Sequence, residues 1–363
     1  MNNSKNSIIV KSSAGNYEVM FSKTIEDIFQ NYAVPQNHIV ICDKNIYEKY
    51  GLVLNQSCIG EYYLVEANEK EKTLDGIQRF CNWLIEKNVN KKTTIIAIGG
   101  GVVQDIATFT SHIYYRGVDL VFMPTTLLSQ ADSCIGAKCG INIPPFKNQL
   151  GVFHSPKKVL IVEEFLTSLP KKDVISGFGE ILKLSVTGPN HFYSELCDYL
   201  AKFNFNCNGL LPIIQSSLLA KLFVIEEDEF EKDLRRILNY GHSFGHALES
   251  LTKNQVSHGL AVLFGMDLIN FLGYEWGITN EKFYQDFQKT LYTYFSEFKI
   301  PANIDAEMLV LALKNDKKAD DGFINFAIPI KTGKIIIHRK VIDSELIKLV
   351  QEYIDEKSAF RTP

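Results

Sequence analysis

The stretch Arg235-Arg-Ile-Leu-Asn239-Tyr-Gly-His242-Ser-Phe-Gly-His246 carries a cation, an amide and two imidazoles at spacings of 4, 3 and 4. At about 100° per residue, the four groups fall within roughly 60° of one helix face. A helix face normally carries apolar groups at that spacing, so the stripe points to a ligand or metal site. A polar solvent face is the competing reading. Gly241 and Gly245 each cost a helix ~1 kcal/mol against Ala, a cost that makes sense where something approaches the backbone closely. His258 follows, just before another apolar helix, and Glu180 lies in Gly177-Phe-Gly-Glu180-Ile-Leu-Lys183. One Glu and two His on separate helices suffice for a catalytic Zn²⁺, which takes three protein ligands and keeps one position open. His258 reads equally well as a helix cap or a core residue.

A second element is Thr94-Thr-Ile-Ile-Ala-Ile-Gly-Gly-Gly-Val-Val-Gln-Asp105, a strand, a triple-glycine turn and a helix start. Glycines let a ligand approach the backbone, and a helix N-terminus offers free N–H groups to a phosphate. The pattern is not G-x-G-x-x-G, which disfavours an ordinary Rossmann dehydrogenase. Asp43 ends an earlier strand and suits a ribose hydroxyl as well as a solvated turn. A third group is cationic: Arg116, Lys138, Lys147, Lys183, Lys221, Arg235, Lys317 and Lys318. Convergent cations would suit a substrate bearing phosphate or carboxylate.

Whatever positions these groups must be a folded chain of ordinary composition. The 363 residues are 46% hydrophobic and 22% charged, which excludes a disordered protein. A net charge of −4 argues against a nucleic-acid binder. No apolar run approaches the ~20 residues of a membrane span, and Met1–Val10 lacks the apolar stretch of a signal peptide. Seven scattered cysteines, never spaced C-x-x-C, point to a reducing cytoplasm.

The first half alternates strands with helical patterns. Ser7–Lys11 and Tyr17–Phe21 read as a hairpin; His38–Cys42, Tyr62–Val65, Thr94–Ile98 and Leu120–Met123 read as strands of a parallel sheet. Helical periodicity covers residues 74–84 and Val102–Tyr115. Beyond Pro170 helices dominate, over Ile175–Val186, Gly209–Glu227, Asp233–Leu251 and His258–Leu272. A hairpin is expected over Gly322–Pro329 and Lys334–His338, and a frayed tail from Lys357. The expected plan is a Rossmann-like α/β domain over residues 1–169 and a mainly α-helical domain over residues 170–363.

Several motifs together resemble the 3-dehydroquinate synthase and wider sugar-phosphate cyclase family. They are Gly99-Gly-Gly-Val-Val-x-Asp105, Tyr115-Arg116-Gly117, Pro124-Thr-Thr-Leu-Leu128, Lys147-Asn148, Gly179-Glu-Ile-x-Lys183, Leu238-Asn-x-Gly-His-Ser-x-Gly-His246, His258-Gly259 and Asp316-Lys-Lys318. The resemblance implies an NAD-binding first domain, a metal-binding second domain, an active site in the cleft between them, and a homodimer. It implies zinc, with cobalt as a substitute, on Glu180, His242 and His258. It implies NAD contacts at Asp43, Glu69, Lys72, Gly100, Gly101, Val102, Asp105, Thr125, Thr126 and Lys147. Catalytic and substrate contacts implied are Asp132, Lys138, Asn148, Lys183, Lys221, Arg235, Asn239, His246 and one or both of Lys317 and Lys318. Arg116 matches a residue that reaches a neighbouring protomer's substrate phosphate.

The implied reaction turns 3-deoxy-arabino-heptulosonate 7-phosphate into 3-dehydroquinate and phosphate. It runs through transient oxidation by NAD, phosphate elimination, re-reduction and an intramolecular aldol closure. Sedoheptulose 7-phosphate and glucose 6-phosphate cyclases are the near alternative, and a metal-dependent polyol dehydrogenase the more distant one. Gln104, Thr108, Ala137, Cys139 and Leu260 depart from the usual family residues. Lys221 and Arg235, which in the family meet the heptulosonate carboxylate, favour the acidic substrate.

Overall fold

The computed structural model describes residues 7–58, 60–144, 146–203, 207–253, 255–295, 300–301, 304–313, 319–320, 322–357 and 361–362. Lys317 and Lys318 lie outside them. Two compact units are formed, one by Met1–Pro170 and Phe205–Leu218, the other by Lys171–Asn204 and Leu219–Pro363.

In the first unit the strands are β1 (Ser7–Val10), β2 (Tyr17–Ser22), β3 (His38–Asp43), β4 (Glu61–Val65), β5 (Thr94–Gly99), β6 (Asp119–Pro124), β7 (Ile141–Ile143), β8 (Phe146–Leu150) and β9 (Lys158–Val162). A seven-stranded sheet runs β1-β2-β9-β6-β5-β3-β4. Only the β1–β2 edge pair is antiparallel. The central strands are near-continuous apolar runs because both faces of a parallel sheet are covered. On one face Val40, Cys42, Ile96, Ile98, Val121, Met123, Leu160 and Val162 pack with Ile25 and Ile28 of helix α1 (Ile25–Asn31) and Leu54 of α2 (Lys44–Ser57). Helices α3 (Leu74–Glu86) and α4 (Gly101–Ile113) complete the β-α alternation. Helix α4 stops two residues short of the expected Tyr115: a 3-10 turn, Tyr114–Arg116, follows, with Tyr115 and Arg116 both at positive φ (49° and 60°).

The second unit is built on helices α5 (Lys171–Thr187), α6 (Asn190–Leu200), the end of α7 (Leu211–Ile225), α8 (His242–Leu251), α9 (His258–Glu275), α10 (Glu281–Tyr294), α11 (Ala306–Leu313) and α12 (Ser344–Glu356). The expected hairpin is present as β12 (Phe323–Lys331) and β13 (Lys334–Val341), with β11 (Ala319–Asp320) beside it. The tail is not simply frayed: β14 (Arg361–Thr362) pairs in parallel with β10 (Ile300–Pro301). No helix among the described residues is long and apolar enough to cross a membrane.

The expected helix over Asp233–Leu251 is two pieces, a 3-10 helix at Leu234–Asn239 and α8, joined by Tyr240 and by Gly241 at φ 78°. Arg235, Asn239, His242 and His246 therefore do not share one helix face. Side-chain competition explains the break: the Asp228 carboxylate accepts from the backbone N–H groups of Lys232, Asp233 and Arg235 at 2.8–3.0 Å. Some burial opposes the Asp228 charge, but these bonds outweigh it and hold its pKa at about 2. A depressed carboxylate stabilises above its unfolded pKa, and the contribution is lost as pH falls through about 2. Asp228→Asn is accordingly expected to lower the thermal midpoint by about 2–4 °C at neutral pH. The gap should close on acidification toward pH 2, which calorimetry across pH would check.

Candidate functional site

Helices α5, α8 and α9 approach closely because glycine backbones meet. A Cβ on Gly259 would overlap the Ser176 carbonyl oxygen, one on Gly179 the Gly259 carbonyl oxygen, and one on Gly265 the Gly241 carbonyl oxygen. At Gly245 a Cβ would stand 3.0 Å from the Ala261 carbonyl oxygen. What comes close to Gly241 and Gly245 is therefore helix α9 rather than a ligand.

This contact brings Glu180 (α5), His242 (start of α8) and His258 (start of α9) together, with ligand atoms within 4.8 Å of one another. Glu180, 1% exposed, directs Oε1 to His258 Nε2 at 3.2 Å and His242 Nε2 at 3.7 Å. Lys183, one turn along α5, pairs with Oε2. Each imidazole is oriented through its other nitrogen: His242 Nδ1 lies 3.2 Å from the Tyr240 carbonyl oxygen and His258 Nδ1 lies 3.1 Å from Glu249 Oε2. Such outer partners fix the tautomer of metal-binding histidines. The separations approximate the ~3.3 Å edge of a tetrahedron with ~2 Å arms, so the three side chains fit a zinc-like cation. Burial opposes a charge on His258, but hydrogen bonds donated to the Glu180 and Glu249 carboxylates outweigh it and lift its pKa to about 10. The cluster thus favours positive charge at this point.

His246, Glu249 and His258 form a second possible ligand group. It shares His258, whose Nε2 already faces Glu180, so Glu249 is better read as the group that aims His258. His246 is exposed, its ring 5.3 Å from that of His242. Glu249→Gln should keep the fold and weaken metal binding about 10- to 100-fold, readable by competition with a chromogenic chelator.

Lys183, Lys221 and Arg235 are 4%, 6% and 3% exposed, unusual for cations. Arg235 Nη1 donates to the Glu229 carbonyl oxygen, and Asn239 Nδ2 to Glu231 Oε1 at 2.8 Å.

In the first unit, α4 starts at the C-terminal end of β5 with Gly100 as N-cap and no side chain capping it. A Cβ on Gly101 would meet nothing within 4 Å, so neither packing nor φ requires glycine there, and the space beside the Gly101–Val102 N–H groups is open. Thr125 Oγ1 is buried without a hydrogen-bond partner among the described residues. Thr126 is tied to Ser129 Oγ through its N–H at 3.1 Å and its hydroxyl at 2.9 Å. These features fit a dinucleotide phosphate at the α4 N-terminus. Asp43 caps α2 by accepting from the Asn45 N–H at 2.9 Å.

Glu69, Lys72 and Asp105 form one charged cluster. Lys72 Nζ lies 2.7 Å from Asp105 Oδ2 and 4.0 Å from Glu69 Oε1. Burial opposes the Lys72 charge, but the two carboxylates raise its pKa above the usual range. Asp132 sits in a π-helical turn, Ser129–Ser133. Lys138 follows Gly136 and Ala137, at φ 100° and 61°. Lys147 and Asn148 lie on β8, Asn148 at φ 51°.

Residues 62–176 match the model of the 3-dehydroquinate synthase N-terminal domain, and residues 177–319 that of the C-terminal domain. The chain belongs to the 3-dehydroquinate synthase family. It is 33% identical to the 3-dehydroquinate synthase of Alkaliphilus oremlandii (strain OhILAs), over 93% of this chain and 92% of that one. It is 34% identical to that of Dictyoglomus thermophilum (strain ATCC 35947 / DSM 3960 / H-6-12), over 92% and 93%. Its fold is that of a 2-deoxy-scyllo-inosose synthase solved with carbaglucose-6-phosphate, NAD⁺ and Co²⁺ (TM-score 0.85, 21% identity, 95% of this chain and 99% of that one). It is also that of 2-epi-5-epi-valiolone synthase from Streptomyces hygroscopicus subsp. jinggangensis 5008 with NAD⁺ and Zn²⁺ (0.83, 24%, 94% and 97%). A glycerol dehydrogenase from Schizosaccharomyces pombe is more distant (0.63, 17%, 95% and 93%).

Two residues of this family member escape a reading by motif. Glu249 follows His246 at i+3 on α8, a spacing that flags it once α8 is known. Asn142 is flanked by Ile141 and Ile143, and nothing in its type or spacing marks it.

Proposed function

We propose that this chain converts 3-deoxy-arabino-heptulosonate 7-phosphate to 3-dehydroquinate and phosphate, with one divalent metal and a recycled NAD. The observation that carries the reading is the convergence of Glu180 Oε1 with the two histidine Nε2 atoms, in a chain whose family match spans both units. Glu180, His242 and His258 would hold zinc, and the α4 N-terminus with Thr125, Thr126, Asp43, Glu69, Lys72, Asp105 and Lys147 would hold NAD. When bound, the metal supplies Lewis acidity to a substrate hydroxyl and NAD a reversible hydride acceptor.

The chain's own groups bind and orient. Lys221 and Arg235 take the substrate carboxylate in charge-assisted bonds. Asp132, Lys138, Lys183, Asn148 and Asn239 position the hydroxyls and the phosphate. His246, exposed on α8 one turn beyond His242, accepts or returns a proton through a ring nitrogen. Lys183 keeps Glu180 Oε2 engaged, so that Oε1 faces the histidines. Arg116 serves the neighbouring protomer of a homodimer.

Phosphate release over a panel of sugar phosphates tests the reading. The expected result is preferred turnover of the acidic heptulosonate. Equal or better turnover of sedoheptulose 7-phosphate or glucose 6-phosphate would instead assign a related cyclase, with Gln104, Ala137 and Leu260 as the residues to explain it.

A further inference from the structure

Asn142, on β7 and 6% exposed, uses its whole carboxamide. Nδ2 donates to Glu69 Oε2 at 2.7 Å and to the Glu69 carbonyl oxygen at 3.2 Å. Oδ1 accepts the Asn148 N–H at 2.9 Å. Its backbone N–H donates to the Lys72 carbonyl oxygen at 2.8 Å, which bridges β7 to the Lys72–Thr73 segment. The Asn148 side chain covers Gly140, where a Cβ would fall 2.5 Å from Asn148 Oδ1. The Gly140 N–H donates to Asp105 Oδ1 at 3.2 Å, and Asp105 Oδ2 meets Lys72 at 2.7 Å. Glu69, Lys72, Asp105, Gly140, Asn148 and Asn142 thus close a ring.

We propose that Asn142 is a positioning residue that sets Asn148 on the sugar-phosphate side and Glu69 on the NAD side of that ring together. The inference rests on the roles given above to Glu69, Lys72 and Asn148. Asn148 is held at φ 51°, a conformation unfavourable for most side chains. The Asn142 carboxamide satisfies its N–H there. A carboxamide is required because the surroundings present two acceptors and one donor. An aspartate would set one carboxylate against another, and an aliphatic residue would leave all three groups unmatched.

The test is a double-mutant cycle on the metal-loaded enzyme. Asn142→Asp should weaken NAD binding at least tenfold by calorimetry and lower kcat/KM for the sugar phosphate at least 30-fold. Glu69→Gln removes an NAD-side carboxylate and is measured alone as the reference; because its carboxamide supplies a donor to the new carboxylate, Asn142→Asp should cost at least tenfold less in the Glu69→Gln background than in the wild type. Wild-type NAD affinity and turnover in Asn142→Asp would overturn the proposal. So would an equal cost of Asn142→Asp in the wild-type and Glu69→Gln backgrounds when all three variants keep the wild-type thermal midpoint. Should Asn142→Asp not fold, Asn142→Ala is read instead. There, parallel losses in NAD affinity and kcat/KM at full metal content support the proposal, and wild-type values overturn it. A wild type that prefers another sugar phosphate overturns the function proposed above, and the Asn142 ratios are then read on that substrate.

Discussion

His258→Ala is expected to remove metal and activity together. The residue supplies one of three candidate ligand atoms, and its Nε2 lies closer to Glu180 Oε1 than that of His242 does. Zinc held by Glu180 and His242 alone would lack the three-ligand set of a catalytic site. Elemental analysis of the purified variant should fall from about one divalent metal per chain to well below half, with phosphate release at background. His242→Ala should behave alike, whereas Glu249→Gln should lose affinity and recover at high metal concentration. Full occupancy in His258→Ala would take His258 out of the ligand set and would rule out both candidate groups, since both contain it.

Arg235→Ala is expected to erase a substrate preference rather than activity as such. Arg235 is buried, its backbone N–H is held by Asp228, and its guanidinium is held by the Glu229 carbonyl oxygen. A carboxylate matched to buried Arg and Lys is worth on the order of 2–5 kcal/mol over a neutral group that leaves them unmatched. That is roughly 30- to several-thousand-fold, at 1.36 kcal/mol per tenfold in rate. In the wild type, kcat/KM for 3-deoxy-arabino-heptulosonate 7-phosphate should exceed that for sedoheptulose 7-phosphate by that order. In Arg235→Ala the acidic substrate should lose most of this advantage while the neutral one changes little. A uniform loss on both substrates would make Arg235 a structural group.

The fold was legible where one physical signal dominated. Apolar runs such as Thr94–Ile98 mark buried parallel strands, and the glycine turn after them marks a strand-to-helix junction. The helix expected over Asp233–Leu251 misled because 3.6-residue spacing says nothing about competition for backbone N–H groups. Asp228 takes three of them, and Gly241 turns left-handed. The stripe of Arg235, Asn239, His242 and His246 thus rests on a mistaken geometric premise, and of the four it is His242 that meets Glu180. The metal candidates Glu180 and His258 were readable as residue types. Their convergence depends on Gly179, Gly259 and Gly265 meeting facing carbonyl oxygens. Glu249 and Asn142 act through other residues, and such roles appear only once partners are placed in space.

The most direct test follows absorbance at 340 nm and inorganic phosphate in the same reaction, with metal-loaded enzyme, 3-deoxy-arabino-heptulosonate 7-phosphate and NAD in excess over it. The expected result is one phosphate released per substrate consumed, with no NADH accumulating, because a cofactor reduced and then reoxidised within each turnover does not build up. NADH rising in step with substrate loss, or consumption without phosphate release, would contradict the account and place the chain with the polyol dehydrogenases.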